Sequence, residues 1–156
     1  PIKSSAASDV YKRQIVDRET NHIYAVTQLY PFNKERNGFA TQIVKFNLPS
    51  INIPQVILSD VDIEDSFEVF FPHILQGGVI HNHTLYFPSG ASADSQLQYG
   101  KEKAIVIIDL KEKKIKRIID VQDILNNEPE GGAFWGKSLI ISCAPKGLYQ
   151  FFLKDE

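Results

Sequence analysis

Two carboxylates lie close together in the segment Glu128-Pro129-Glu130-Gly131-Gly132, directly before a predicted strand. Carboxylate oxygens are the ligands that a hard cation such as Ca²⁺ prefers. Pro129 stiffens the approach, and the glycines let neighbouring backbone come close. The motif predicts a ligand-binding or Ca²⁺-binding site at Glu128 and Glu130. The alternative is a structural role, in which a glutamate accepts hydrogen bonds from backbone amides or pairs with a lysine.

Two histidines, a tryptophan and a cysteine are the other candidates for chemistry. His81 and His83 flank Asn82, and because positions two apart in a strand share a face, both imidazoles could meet one metal ion. The alternative is a pair of solvated turn residues. Trp135 is a candidate ligand contact, with packing in the core as its alternative. The single cysteine, Cys143, excludes an internal disulfide framework and is expected to be a small buried apolar residue.

The composition excludes several classes of partner. The 156 residues carry 17 basic and 19 acidic side chains, for a formal net charge of −2. A mildly acidic chain with interspersed charges argues against a surface for nucleic acid or for an anionic membrane. No apolar run approaches the roughly 18 residues that a membrane-spanning helix needs. The ligand itself stays open between a carbohydrate and a protein.

An internal repeat organises the chain. Residues 24–53 match residues 86–115 at a constant offset of 62 positions, and residues 77–87 match residues 131–141 at an offset of 54. Short apolar runs alternate with polar turns throughout both units, which is typical of β-strands. A supersecondary unit that recurs down a chain indicates a repeat architecture. The fold class predicted is therefore all-β.

The repeat unit suggests the blade of a β-propeller, in which sheets of four antiparallel strands stand side by side around a channel. The predicted blades are residues 15–60, 77–121 and 131–153, a fragment of about two and two-thirds blades. The fourth strand of the first blade is placed at Ile53–Leu58, and Asp62–Gln76 is treated as a long connection. An open β-sandwich is the alternative architecture.

The first fourteen residues do not share this pattern. Residues 1–14 have no apolar period and resemble a translated sequencing adapter. We expect a non-native leader that shares no sheet with the repeats and makes no packed contact with them. The propeller fragment would then comprise residues 15–156.

Residues 76–153 resemble a broad set of bacterial propellers. The resemblance rests on the glycine pair in residues 76–80, on the apolar strand ending Asp-Leu in residues 104–110, and on the Glu-Pro-Glu-Gly run in residues 127–132. The chain is similar to teichoic-acid-biosynthesis-C-like and phage-receptor-like propellers, to the six-bladed propellers common in gut Bacteroidetes, and to phytase-esterase-like propellers. These motifs are shared widely among propellers, so they point to a fold more strongly than to an activity.

The resemblance implies a non-enzymatic ligand-binding or scaffolding protein of the bacterial cell envelope, periplasmic or extracellular. Propeller ligands usually bind at a mouth of the central channel. The expected contacts there are Glu128, Glu130, Trp135 and His81, with Ca²⁺ as the one candidate cofactor. The alternative function is a propeller-type hydrolase or lactonase that uses Glu128 or Glu130 with a divalent cation.

Overall fold

The structure, a computed structural model, describes residues 10–153 as eleven β-strands and one short 3₁₀ helix, Asp60–Asp62, with no α-helix in that range. The strands form three antiparallel sheets, each of which is a simple meander in sequence order. The first sheet contains β1 (Val10–Asp17), β2 (His22–Asn33), β3 (Gly38–Asn47) and β4 (Ile63–Phe71). The second contains β5 (Val79–His81), β6 (Thr84–Ser89), β7 (Ala104–Asp109) and β8 (Lys114–Asp120). The third contains β9 (Glu128–Trp135), β10 (Ser138–Ala144) and β11 (Leu148–Phe152).

The expectation for the first fourteen residues is wrong over residues 10–14. β1 begins at Val10 and pairs with β2 along its whole length, from Val10 opposite Leu29 to Asp17 opposite His22. The Arg13 guanidinium also donates a hydrogen bond to the Gln76 carbonyl, 3.1 Å away. This part of the segment therefore shares a sheet with the repeats and contacts them. Residues 1–9 lie outside the described part of the chain.

The fourth strand of the first sheet is β4, and not the predicted segment Ile53–Leu58. That segment contains Pro54, which cannot donate to a strand ladder, and Ile57 within it is exposed. In β4, by contrast, side chains alternate, so that Val69 and Phe71 are buried against the core. The first sheet thus extends eleven residues past its predicted end at residue 60.

The repeat offsets are preserved in the pairing of strands. In the β2–β3 pair Tyr24 lies opposite Lys45, and in the β6–β7 pair Tyr86 lies opposite Ile107, which is the same register moved by 62 residues. The offset fails at the fourth strand, because a connection of 15 residues separates β3 from β4 and only four residues separate β7 from β8.

The second offset, 54, holds for the first hairpin of the second and third sheets. Ile80 lies opposite Leu85 in the β5–β6 pair, and Phe134 lies opposite Leu139 in the β9–β10 pair. The β5–β6 turn is made by Asn82 and His83, both at positive φ (48° and 58°), the geometry that a two-residue hairpin of the right twist requires.

Burial shows that the second sheet is covered on both faces. Every residue of Ala104–Ile108 in β7 is buried, and its side chains alternate between two apolar clusters. One cluster joins the first and second sheets and includes Val106 and Ile108; the other joins the second and third sheets and includes Ile105 and Ile107. We call these contact zones the first interface and the second interface. A continuous apolar strand is the signature of a sheet buried on both sides.

A glycine pair lets the first strands of neighbouring sheets approach closely. A Cβ on Gly77 would overlap the Glu130 carbonyl oxygen and lie 2.5 Å from the Gly131 Cα. A Cβ on Gly78 would meet Phe87 at 2.6 Å and Ile15 at 2.7 Å. Only the absence of a side chain allows this packing.

The outer face of the third sheet carries several large apolar side chains and is uncovered within the described residues. Alternation along its strands places Trp135, Leu148 and Phe152 on this face, with exposed fractions of 82%, 75% and 77%. Gly131 occupies the position of Gly77 in the repeat, and a Cβ added to it would meet only the Ser142 hydroxyl, at 3.4 Å. The third sheet therefore presents exposed apolar side chains, together with Ser142 and Gln150, on a face that no described residue covers.

Candidate functional site

Glu128 is held in a network of hydrogen bonds at the upper end of the second interface, the end where β5 and β9 begin. One carboxylate oxygen accepts a hydrogen bond from the Gln76 side-chain amide at 2.7 Å, and the other accepts one from the Ser92 backbone N–H at 3.1 Å. Gln76 is buried and also donates to the Gly90 carbonyl at 2.9 Å. Through its two carboxylate oxygens, Glu128 thus connects the start of β9 with two segments that are distant in sequence, one at Gln76 and one at Ser92.

This network also orders the connection between β6 and β7. Ser92 and Gly90 are fixed by Glu128 and Gln76, and the Gly90 N–H donates to the Ile74 carbonyl at 2.8 Å. Glu128 therefore accepts hydrogen bonds from neighbouring protein donors, which is the structural role given above as the alternative to ligand binding.

Glu130 lies apart from that network. The register of the β9–β10 pair shifts between Ser142 and Cys143, so Glu130 is left without a partner residue in the ladder, and its side chain is exposed. A bulge of this kind re-aims a side chain. Within residues 10–153 no group of three or more histidine, cysteine, aspartate or glutamate side chains is arranged to hold a metal ion. Ca²⁺ binding by Glu128 and Glu130 stays a prediction.

His81 and Trp135 occupy equivalent positions at the lower end of the stack, where the first hairpin of each sheet turns. The His81 ring stacks on Phe134 with the ring centroids 4.4 Å apart and an interplanar angle of 21°. Tyr86 packs edge-on against the same Phe134 ring, at 5.0 Å. These aromatic rings fill the lower end of the second interface. Trp135 instead lies on the open face of the third sheet.

The lower end of the first interface is open and polar, a feature that the sequence interpretation missed. A groove of about 200 Å³ lies there between the first and second sheets. Polar and apolar side chains share its walls. They are Thr20, His22, Tyr24, Ile43, Lys45, Asp65, Phe67, His83, Leu110 and Lys111. We call this feature the lower groove.

A chain of hydrogen bonds fixes one side of the lower groove. The Thr20 hydroxyl donates to the Asp17 carboxylate at 2.5 Å, and His22 Nδ1 lies 2.9 Å from the same hydroxyl. Because that hydroxyl proton points to Asp17, its oxygen is left to accept from His22. His22 Nε2 lies 3.0 Å from Glu64, which also receives Lys45 Nζ at 3.2 Å.

Charges shift the protonation of three groups around the groove. The hydrogen bond from Lys45 holds the pKa of Glu64 below its usual range, against an opposing effect of burial. The hydrogen bond from Lys113 likewise lowers the pKa of Asp65. These two residues form a 2.7 Å ion pair that bridges the two sheets. Burial, together with the charges of Asp17, Asp65 and Glu64, raises the pKa of Tyr24, so its hydroxyl stays protonated.

The signal for this groove was present in the repeat itself. Lys45 stands where the second unit has Ile107, so a charged side chain replaces an apolar one at a position that faces a neighbouring sheet. His83 stands in a tight turn at positive φ, where asparagine or glycine is usual. Departures of this kind from a repeat pattern mark positions that packing alone does not explain.

Cys143 is buried, as expected from the sequence, and burial raises the pKa of its thiol. A thiol with a raised pKa is a poor nucleophile at neutral pH. Its side chain belongs to the apolar cluster of the second interface, where it packs with Leu139 and Ile141.

The fold and these sites define an all-β protein of three stacked antiparallel sheets. Comparison with protein-family models, with curated proteins and with solved structures finds no match to this chain. The part of the chain that the structure describes contains no helix of the length and apolar character that crossing a membrane requires.

Proposed function

We propose that the chain is part of a β-propeller of a bacterial envelope protein and that it acts by binding or scaffolding, without catalysis. The observation that carries this proposal is the second sheet, which is covered on both faces by sheets whose strand register repeats its own. A stack built in this way extends by adding a like sheet to an open face. Placement in the periplasm or outside the cell is proposed on the sequence resemblance alone.

The geometry around the glutamates favours binding over catalysis. Both carboxylate oxygens of Glu128 already accept hydrogen bonds from Gln76 and Ser92. Glu130 and Trp135 are exposed and remain the candidate contacts for a carbohydrate or protein ligand. A catalytic carboxylate is usually enclosed in a cleft, whereas Glu130 is exposed.

The open face of the third sheet provides the test. An apolar face that is normally covered promotes association when it is left bare. We expect the 156-residue chain to self-associate in sedimentation velocity experiments as its concentration rises. Replacing both Trp135→Ser and Phe152→Ser should weaken the association at least tenfold, because both side chains lie on that face.

Ile51→Ser is the matched control, since Ile51 is 96% exposed but lies in the connection between β3 and β4, away from the sheet faces. It should leave the association unchanged. A wild-type chain that stays monomeric at all concentrations and melts in one cooperative transition would show a complete domain, and would overturn the propeller proposal.

A further inference from the structure

We propose that the lower groove is a binding site for a neutral, polyhydroxylated ligand of the size of a single sugar unit. The site lies at the opposite end of the stack from Glu128. The inference goes beyond the scaffolding function and does not depend on whether the three sheets belong to a propeller.

The size and position of the groove suit a small ligand. Its volume of about 200 Å³ is well above the roughly 10–15 Å³ that a single water molecule requires. Because its walls come from two different sheets, the groove is concave, as ligand sites usually are. The Lys113–Asp65 ion pair ties the two sheets together beside it.

Tyr24 supplies the observation that points to a ligand. The residue is only 7% exposed and lines the groove. The residue belongs to the apolar cluster of the first interface, which holds its side chain in place by packing. A hydroxyl on the wall of a groove is a donor to which an oxygen of a bound molecule can hydrogen-bond.

The charges around that hydroxyl favour a neutral ligand over an anion. Burial, and then the charges of Asp17, Asp65 and Glu64, raise the pKa of Tyr24, so the hydroxyl is protonated and can donate. Glu64 is paired with Lys45 and Asp65 with Lys113, so the groove carries little uncompensated charge and suits a neutral ligand. The cations that face the groove are Lys45 and Lys111, with His22 and His83 beside them, and Lys45 is already paired with Glu64.

The remaining wall residues match both the hydroxyl groups and the C–H groups of a sugar ring. Lys45 has ammonium protons and Asp65 has a carboxylate oxygen beyond the atoms used in their ion pairs, so the walls offer both donors and acceptors to hydroxyl groups. Phe67 and Leu110 offer apolar surface to the C–H groups. A combination of apolar lining and a few placed polar groups is what fixes the orientation of small ligands.

The second interface shows that the groove is not a by-product of stacking. There Tyr86 occupies the position of Tyr24, Ile107 that of Lys45, and the Phe134 ring packs against Tyr86. The same backbone register therefore gives a filled, apolar end in one interface and an open, polar end in the other.

Saturation-transfer difference NMR on the 156-residue chain tests the proposal, with glucose and N-acetylglucosamine as probes and inorganic phosphate as the anionic comparison in a titration followed by protein chemical shifts. We expect at least one sugar to bind at millimolar concentration and to compete with the other. Tyr24→Phe keeps the ring and removes only the hydroxyl, and should lower the affinity about tenfold, as expected for one lost hydrogen bond.

Tyr86→Phe is the matched control, because it makes the same change at the equivalent position of the second interface, and it should leave the affinity unchanged. Lys111→Ala, an exposed position on the groove wall, should weaken sugar binding severalfold and gives a second variant if Tyr24→Phe does not fold. Absence of sugar binding in the wild type, equal losses in the two tyrosine variants, or preferential binding of phosphate would each overturn the proposal.

Discussion

The two interfaces of this stack are built from equivalent strands and end differently. In the second interface the lower end is closed by the stacked rings of His81 and Phe134 with Tyr86 edge-on. In the first, the position of Phe134 is taken by the smaller Ile80, and Lys45 introduces a charge. Register and apolar alternation fix how the sheets stack, whereas a few end positions decide whether an interface is filled or open.

The upper ends of the two interfaces are more alike, since each depends on a buried glutamine. Gln28 is fully buried in the first, where its side-chain oxygen accepts from the Leu75 N–H at 2.8 Å and its amide donates to the His73 carbonyl at 3.0 Å. Gln76 performs the corresponding task in the second, with Glu128 as partner. A buried polar side chain with its partners satisfied sets the path of the connection next to it.

The largest expected effect is a loss of stability that differs between two equivalent glycines, one in an interface and one on an open face. Gly77→Ala should destabilise the fold by about 3 kcal/mol, because the new Cβ would overlap backbone atoms of Glu130 and Gly131 that cannot rotate away. Gly131→Ala, the same change at the equivalent position on the third sheet, should change the free energy of unfolding by less than about 1 kcal/mol. Urea unfolding of both variants measures the difference. Equal losses would mean that Gly131 is also covered.

A medium effect is expected at the upper end of the second interface. Glu128→Gln should cost about 1–3 kcal/mol, because one of the donors on Gln76 or Ser92 loses its charged acceptor and one amide N–H replaces an acceptor. Glu130→Gln is the control and should leave the thermal midpoint unchanged, since that side chain is exposed. If Glu130→Gln destabilised the protein and Glu128→Gln did not, the roles assigned to the two glutamates would be reversed.

The smallest effect concerns pH and the lower end of the first interface. The pKa of Glu64 is lower in the folded protein than its ordinary value of 4.5, with the Lys45 hydrogen bond as the main cause. The contribution of the Lys45–Glu64 interaction to the stability of the fold is therefore complete above the ordinary pKa of Glu64. It is lost as the pH falls through the lower pKa of the folded protein. Lys45→Met should flatten this loss in urea unfolding between about pH 6 and pH 3.

Lys111→Met is the control for that experiment, since Lys111 forms no ion pair in the described part of the chain. It should leave the pH dependence as it is in the wild type. Because Glu64 is accessible to solvent, the whole effect should shrink as salt is added. A pH dependence that Lys45→Met leaves untouched would remove Lys45 as its cause.

Much of the fold was accessible from the sequence, because alternation and repeat offsets report directly on strand pairing. The second sheet and the antiparallel meander were predicted in place, and the two-faced burial of Ala104–Ile108 is confirmed. The third sheet begins at Glu128 and not at residue 131, so the Glu-Pro-Glu run expected before the first strand lies within β9. β4 was misplaced, because the repeat offset led to Ile53–Leu58 while the true strand follows a longer connection. A constant repeat offset predicts the position of a strand only where the loop before that strand has the same length in both units.

The candidate sites were harder to predict from the sequence, because they depend on which strand ends and loops meet in space. The sequence singled out Glu128 but could not show that Gln76 and Ser92, 52 and 36 residues away, occupy both of its oxygens. It likewise placed Tyr24 only as a strand residue. That Tyr24 lines a groove together with Lys45 and Asp65 follows from the stacking of two sheets, which no local pattern encodes.

The meander order of the three sheets also has a consequence for how the protein comes apart. Each strand pairs only with its neighbours in sequence, and the first and third sheets each pack mainly on the second. Such a molecule behaves as a short linear array, in which the units at the ends are held by one neighbour and the unit in the middle by two. For the 156-residue chain studied alone, we therefore expect local opening to start at the outer sheets and to reach β7 last, so that amide hydrogens in β7 exchange most slowly.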